Sequence, residues 1–205
     1  MKDVNRARWG FRLYYFLLVA AGILFFAYLL GDFPSGRWRD IFLFICLIII
    51  ADSVQISLPR GGASIYASSP IDLAGIVLFG PAVMAVIEGI ATVVTEGLLQ
   101  RRPITKLAFN VPLLIMTVGI SGLVYRAFGP LADMHSPMFL VPLTAAGIVY
   151  YLFNTWAVSF VIALSDGRNP LHVVQPDALV AAGLAGVQRN TGLRQVAGVG
   201  DEGEQ

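Results

Sequence analysis

One apolar stretch of the chain carries three polar residues at the spacing of a single helix face. Glu88, Thr92 and Glu96 lie four residues apart within the run 82–99, and side chains at that spacing share one side of an α-helix. The two carboxylates would lie about 12 Å apart along the axis, a separation that suits groups lining a path or a cavity. The alternative is that this stripe packs against polar groups of neighbouring helices, with Glu96 paired to an arginine of the turn that follows.

Three further polar residues are candidates for contacting a ligand or for joining helices. Asp52 lies at the polar end of an apolar run, where solvation at the membrane interface is the simpler explanation. Asn110 and Asn154 lie within longer apolar runs and are expected to form hydrogen bonds between helices. Asp72 comes shortly after Ser69 and a proline, a pattern that predicts Ser69 as a helix cap with Asp72 reaching back to it.

Several common chemistries have no support in the residue pattern. His135 and His172 are far apart in separate loops, and Cys46 is the only cysteine, so the sequence predicts no metal site. It also lacks a phosphate-binding loop of the G-x-x-x-x-G-K-[ST] type and a G-x-S-x-G nucleophile motif. We therefore expect no catalysis and no cofactor.

The composition is that of a chain that resides in lipid. Hydrophobic residues make up 57% and charged residues 13% of the 205 positions, against about 45–50% and about 25% in soluble domains. The net charge of +1 gives no field to attract nucleic acid. The predicted class is therefore an all-α integral membrane protein whose main partner is the lipid bilayer.

Apolar segments divide the chain into about six membrane elements. The predicted elements are residues 13–31, 41–58, 71–79, 82–99, 107–128 and 137–164. Residues 71–79 would form a helix only about 13 Å long, followed by a break at Gly80-Pro81. The expected fold is thus a helical bundle with one short or broken helix.

The distribution of basic residues predicts the orientation, because cytoplasmic loops are rich in Lys and Arg. If the short helix counts as a crossing and the first residue is cytoplasmic, nine basic residues of the segments up to residue 172 lie inside and three outside. The inner set is Lys2, Arg6, Arg8, Arg12, Arg60, Arg101, Arg102, Lys106 and Arg168; the outer set is Arg37, Arg39 and Arg126. Treating 71–99 as one crossing removes this asymmetry. We therefore predict a bacterial inner-membrane protein with both ends in the cytoplasm.

The segment 56–130 resembles the N-terminal membrane domain that precedes bacterial HD-GYP phosphohydrolase and GGDEF signalling domains. The matching motifs are Leu58-Pro59-Arg60-Gly61-Gly62, Leu78-Phe79-Gly80-Pro81, Arg101-Arg102-Pro103 with Lys106, Phe109 and Asn110, the stretch 125–129, and Asp166-Gly167-Arg168-Asn169-Pro170-Leu171. The resemblance implies a membrane module that senses a signal and passes it to a cytoplasmic domain acting on cyclic di-GMP. The His-Asp and Gly-Tyr-Pro motifs of that output domain are absent, so its enzyme activity is not expected here.

The domain organisation follows from the same comparison. Residues 1–172 are predicted to form the multi-pass membrane domain. Residues 173–205 contain no aromatic side chain and are predicted to be a cytoplasmic tail, either disordered or the remnant of a truncated or frameshifted gene.

A second resemblance points to a different class of function. The predicted arrangement of about six helices, with a short one before Gly-Pro, is similar to that of the substrate-binding subunits of energy-coupling-factor transporters. Those subunits enclose a small molecule among their helices. The hypotheses are therefore sensing or anchoring, solute binding, and, as a third, a remnant with no independent activity. The first two leave room for a small-molecule ligand and for a second copy of the chain as partners.

Overall fold

The chain folds as a helical bundle in the computed structural model, which describes residues 2–33, 36, 38–53, 56–57, 64–65, 68–129 and 137–166. The helices are α1 (Lys2–Leu30), α2 (Trp38–Ser53), α3 (Ser69–Phe79), α4 (Pro81–Thr92), α5 (Ile104–Ala127) and α6 (Leu140–Asp166). A π-helical segment, Val93–Leu99, continues α4, and a short 3-10 turn, Pro137–Phe139, precedes α6. The predicted all-α bundle with one short helix is confirmed.

The helices are long and apolar enough to be embedded in a membrane. Four segments reach the length and hydropathy of a membrane span: Trp9–Leu30, Pro81–Leu99, Ile104–Ala127 and Leu140–Val161. Many large apolar side chains face outward, among them Leu24 at 72% exposure and Phe16 at 67%. So much outward apolar surface is unfavourable in water and favourable in lipid. The protein is therefore a membrane-embedded bundle.

Contacts between the helices fix their directions. The hydroxyl of Tyr15 donates to the carbonyl oxygen of Thr105 at 3.0 Å, and at the opposite end Arg126 reaches Asp32 at 3.4 Å. Helices α1 and α5 therefore run in the same direction. Helix α6 runs against both, because its last turn packs beside Gly10. We call the end of the bundle at which α1 begins and α6 finishes the proximal end.

Helices α3 and α4 form an antiparallel hairpin around a break at Gly80. This residue has φ +80°, a conformation in which only glycine is unstrained, and Pro81 then opens the second helix. The two helices pack closely where Gly75 meets the sulfur of Met84. Helix α3 is about 16 Å long. The prediction of a short helix that a break at Gly80-Pro81 separates from the longer one that follows is confirmed.

The second element differs from its predicted extent. Helix α2 ends at Ser53, whose hydroxyl donates to the carbonyl oxygen of Ile49 at 2.6 Å, whereas the apolar pattern predicted a span to residue 58. Two short antiparallel strands follow, β1 (Ile56–Ser57) and β2 (Ser64–Ile65). Ile56 and Ser57 therefore pair with a second strand instead of continuing the helix.

Two prolines pack against glycines at the core of the bundle. Pro112 of α5 fits against Gly22 of α1, and Pro81 at the start of α4 fits against Gly122 of α5. A β-carbon at Gly122 would lie 2.8 Å from that of Pro81. Small residues of this kind allow helix backbones to approach closely in a membrane, and here they bring α1 and the α3–α4 hairpin against α5.

Candidate functional site

Three carboxyl groups from three helices meet in the interior of the bundle. Asp72 of α3 is 0% exposed, Glu88 of α4 is 1% exposed and Asp52 of α2 is 6% exposed. The charges of Asp52 and Asp72 interact, and both interact with Glu88. We call these three residues the carboxyl cluster. Ionisable groups at such depth are costly to bury and are therefore candidates for function.

Asp72 joins α3 to α6 and faces α4. The hydroxyl of Tyr150 donates to its Oδ2 atom at 2.7 Å, and Tyr150 is itself buried. The carboxyl group of Asp72 also lies within hydrogen-bonding reach of the Glu88 carboxyl. The antiparallel α3–α4 hairpin produces this encounter, because it places Asp72, one turn after the start of α3, opposite the middle of α4.

The other two carboxyls each have a hydroxyl partner on a neighbouring turn or element. Thr92 Oγ1 donates to Glu88 Oε1 at 3.4 Å, a long bond within one helix face. Ser68, at the start of α3, is hydrogen-bonded to Asp52. Each member of the cluster thus has one hydroxyl donor: Tyr150 for Asp72, Thr92 for Glu88 and Ser68 for Asp52.

The cluster has more acceptors than donors. Three carboxyl oxygens have no hydrogen-bond partner among the described residues: Asp52 Oδ1, Asp72 Oδ1 and Glu88 Oε2. Buried polar atoms in folded proteins are almost always paired, so each exception requires an explanation. A bound proton or a cationic group at the cluster would give these oxygens the partner that they lack.

Glu96 lies beyond the cluster towards the proximal end and is paired differently. Its two carboxylate oxygens accept hydrogen bonds from Asn110 Nδ2 at 3.0 and 2.8 Å, and Arg102 Nη1 lies 3.2 Å from Oε1. Because Asn110 belongs to α5, the predicted hydrogen bond between helices is confirmed. The predicted pairing of Glu96 with an arginine of the following turn is also confirmed, with Arg102 as the partner.

The π-helical segment helps to align Glu96 with the residues before it. An α-helix advances about 100° per residue, so eight residues overshoot two full turns by about 80°. The wider turns of a π-helix rotate less per residue and therefore reduce that overshoot. The π-helical pattern is seen where the amide of Gln100 donates to the carbonyl oxygen of Thr95, five positions back. The charge of Glu96 interacts with that of Asp52. Such segments are frequent at functional sites.

Most of the sequence-predicted residues lie in this region, with one exception. Glu88, Thr92, Glu96 and Asp52 are all buried there, and Asn110 reaches it through Glu96, as described above. Asn154 lies one turn beyond Tyr150 on α6 and is half-buried. Among the described residues no hydrogen bond joins it to the cluster. Whether any of these residues contacts a ligand remains a prediction.

Asp72 is the residue whose role sequence reasoning assigned wrongly. The predicted capping pair fails, because α3 begins at Ser69 with Ser68 at the capping position and no side chain completes the cap. The Asp72 carboxyl group instead faces α4 and α6, where Glu88 lies near it and Tyr150 donates to it. The available signal was a carboxylate inside a short apolar helix, but the preceding Ser-Pro pair gave that carboxylate a local explanation.

An apolar groove lies elsewhere in the bundle. It has a volume of about 860 Å³ and opens between α1, α5 and α6. Its walls are formed by Tyr14, Leu17, Leu18, Met116, Val149, Leu152, Phe153, Trp156, Ala157 and Phe160. No member of the carboxyl cluster lines it, so the groove and the cluster are separate features.

In the described part of the chain, no group of three or more His, Cys, Asp or Glu residues is placed to hold a metal ion. Comparison with known proteins gives no further guide: no family model, curated protein or solved structure matches this chain. The candidate site is therefore argued from its own geometry.

Proposed function

We propose that this protein is a membrane-embedded sensory module of a bacterial signalling system, without catalysis of its own. The observation that carries the proposal is the carboxyl cluster: three buried acids, held by three different helices, with three unpartnered oxygens. Replacing buried charged groups by apolar ones is often neutral or stabilising. A purely structural bundle has no need of such a cluster, whereas a module that responds to a ligand does.

The position of the cluster supports transmission of a response. Asp52, Asp72 and Glu88 lie on α2, α3 and α4, and Tyr150 connects them to α6, which ends at the proximal end. A change in charge or hydrogen bonding at the cluster therefore acts on the helix that leads out of the membrane domain. Coupling of this kind requires an element with two arrangements, and we propose the α3–α4 hairpin as that element.

A solute-binding subunit, as in energy-coupling-factor transport, is the second candidate function. The observation in its favour is that the polar groups are enclosed by helices in the membrane interior, where such subunits would hold a solute. A tightly bound organic molecule that co-purifies with the chain, and is lost in the variant Glu88→Gln, would favour uptake over sensing.

The proposed orientation places the proximal end in the cytoplasm. In a Cys46→Ala background, a cysteine at Arg101 should react with a thiol reagent only after the inner membrane is made permeable. A cysteine at Asp32, at the opposite end, should react in intact cells stripped of the outer membrane. The reverse pattern would place both ends of the membrane domain outside and remove the cytoplasmic output from the proposal.

The sensory role itself can be tested with a fused output domain. We propose joining residues 1–172 to a GGDEF domain of known activity and measuring cyclic di-GMP in cells grown under varied pH, salt and nutrient conditions. We expect the wild-type fusion to change its output under at least one condition, and Glu88→Gln to reduce that change about tenfold while leaving membrane insertion intact.

The matched control for this experiment is Asp32→Asn, an acid-to-amide change at an exposed carboxylate outside the cluster. It should insert equally well and keep the wild-type response. If the Glu88→Gln and wild-type fusions respond identically under every condition, the cluster is a packing feature and the sensory proposal is wrong.

A further inference from the structure

The carboxyl groups of Asp72 and Glu88 lie within hydrogen-bonding reach of one another, and neither has a cation beside it in the described structure. An ionised carboxylate can only accept hydrogen bonds, so two carboxylates cannot form one between them. A hydrogen bond across this pair requires that one of the two groups carries a proton. We infer that Asp72 and Glu88 together form a binding site for one exchangeable proton.

The pattern of satisfied and unsatisfied atoms supports this assignment. In each carboxyl group one oxygen already has a hydroxyl donor: Tyr150 serves Asp72 Oδ2 and Thr92 serves Glu88 Oε1. The remaining oxygens, Asp72 Oδ1 and Glu88 Oε2, have no partner among the described residues. One proton between them would satisfy both at once, which makes the pair complete in hydrogen-bonding terms.

Asp52 gives the pair a route for exchange. It is the most exposed member of the carboxyl cluster, at 6% against 0% for Asp72 and 1% for Glu88, and its Oδ1 is likewise unpartnered. It lies in the last turn of α2, next to the exposed residue Ser53. A proton can therefore enter by way of Asp52 before it reaches the two inner groups.

The surrounding charges and the lack of a metal-binding group favour a proton over a larger cation. The titratable groups that face the pair come from α2 (Asp52) and α6 (Tyr150), while Glu96 of the π-helical segment faces Asp52. Of these, Glu96 already has Arg102 and Asn110 as partners. No group of three or more metal-binding side chains is positioned for an ion in the described residues, whereas a proton needs only two oxygens.

The inference rests on the proposed function only in that both use the same cluster. Proton binding by the isolated chain does not require a signalling partner. The two can therefore fail separately: a missing proton signal refutes this inference, while an unresponsive fusion refutes the sensory role.

Infrared difference spectroscopy of the purified full chain in nanodiscs tests the inference directly. At neutral pH, the wild-type protein should show the carbonyl stretch of a protonated carboxylic acid, shifted when D2O replaces water. That band should be lost in Asp72→Asn and in Glu88→Gln. It should persist in Glu96→Gln, because Glu96 is ion-paired. Absence of the band from the wild type, or its persistence in both cluster variants, would overturn the proposal.

A second measurement keeps the test valid if a cluster variant fails to fold. Titration of the wild-type chain to high pH should remove a band whose intensity corresponds to about one carboxylic acid, and therefore to one cluster proton, per chain, as expected of a pair that titrates as a unit. Sodium chloride added at constant pH should release no proton. Release of a proton on addition of sodium would assign the site to a metal cation and refute the proton assignment.

Discussion

Replacing Asn110 with leucine should lower the free energy of unfolding in detergent by about 2–3 kcal/mol, the scale of hydrogen bonds to a charged group. The change removes both hydrogen bonds that Asn110 Nδ2 makes to Glu96. It leaves Glu96, which is 4% exposed, with Arg102 as its charged partner. The cost arises because a buried carboxylate then has too few donors, and it is measured by unfolding in mixed micelles.

The double variant Asn110→Leu with Glu96→Leu is the control for this prediction. Once the carboxylate is also removed, no buried carboxylate is left short of donors, and Arg102, whose side chain is 27% exposed, keeps its hydrogen bond to Gln100. Most of the lost stability should therefore return. A double variant that is less stable than either single change would show that the two side chains contribute through packing volume instead of through their hydrogen bonds.

Replacing Gly22 with alanine should destabilise the bundle by about 1–3 kcal/mol, the range found for overpacked interiors. A β-carbon at this position would collide with the ring of Pro112 and would lie 3.0 Å from its α-carbon and 3.1 Å from its carbonyl oxygen. Two of these neighbours are backbone atoms, so α1 and α5 must move apart. Thermal unfolding in detergent measures the loss.

Gly147→Ala provides the matched comparison, since it makes the same chemical change within a helix of the bundle. Its nearest neighbour would be the Cδ1 atom of Leu73 at 3.6 Å, an ordinary van der Waals distance. This variant should unfold at the wild-type temperature or slightly above it, because alanine favours the helix by about 1 kcal/mol over glycine. Equal stability of the two variants would mean that α1 does not pack on Pro112 as described.

The helices themselves were largely predictable because their signals are local. Apolar length and bordering charge located each of the six, and Gly80-Pro81 located the break between α3 and α4. The errors fell where local signals conflicted with tertiary contacts. The span predicted for α2 continued to residue 58, since an apolar pattern does not reveal that Ile56 and Ser57 pair with a second strand.

The polar stripe of Glu88, Thr92 and Glu96 was also visible in the sequence, as a spacing of four residues on an apolar helix. The π-helical turns between residues 93 and 99 were not, because they depend on how the chain enters the following turn. The prediction for Asp72 was wrong for a similar reason: the Ser-Pro pair before it explained the carboxylate locally, whereas its partners come from elsewhere in the chain.

The sequence by itself determined that this protein lies in a membrane, where the six helices of its described part lie, and where one of them is cut short. These properties depend on hydropathy and backbone geometry over ten to twenty neighbouring residues. Only the tertiary structure decided which polar side chains meet. Asp72 and Tyr150 are 78 positions apart in the chain, yet the Tyr150 hydroxyl lies 2.7 Å from Asp72 Oδ2. Such contacts arise from the packing directions of whole helices, which no local pattern specifies.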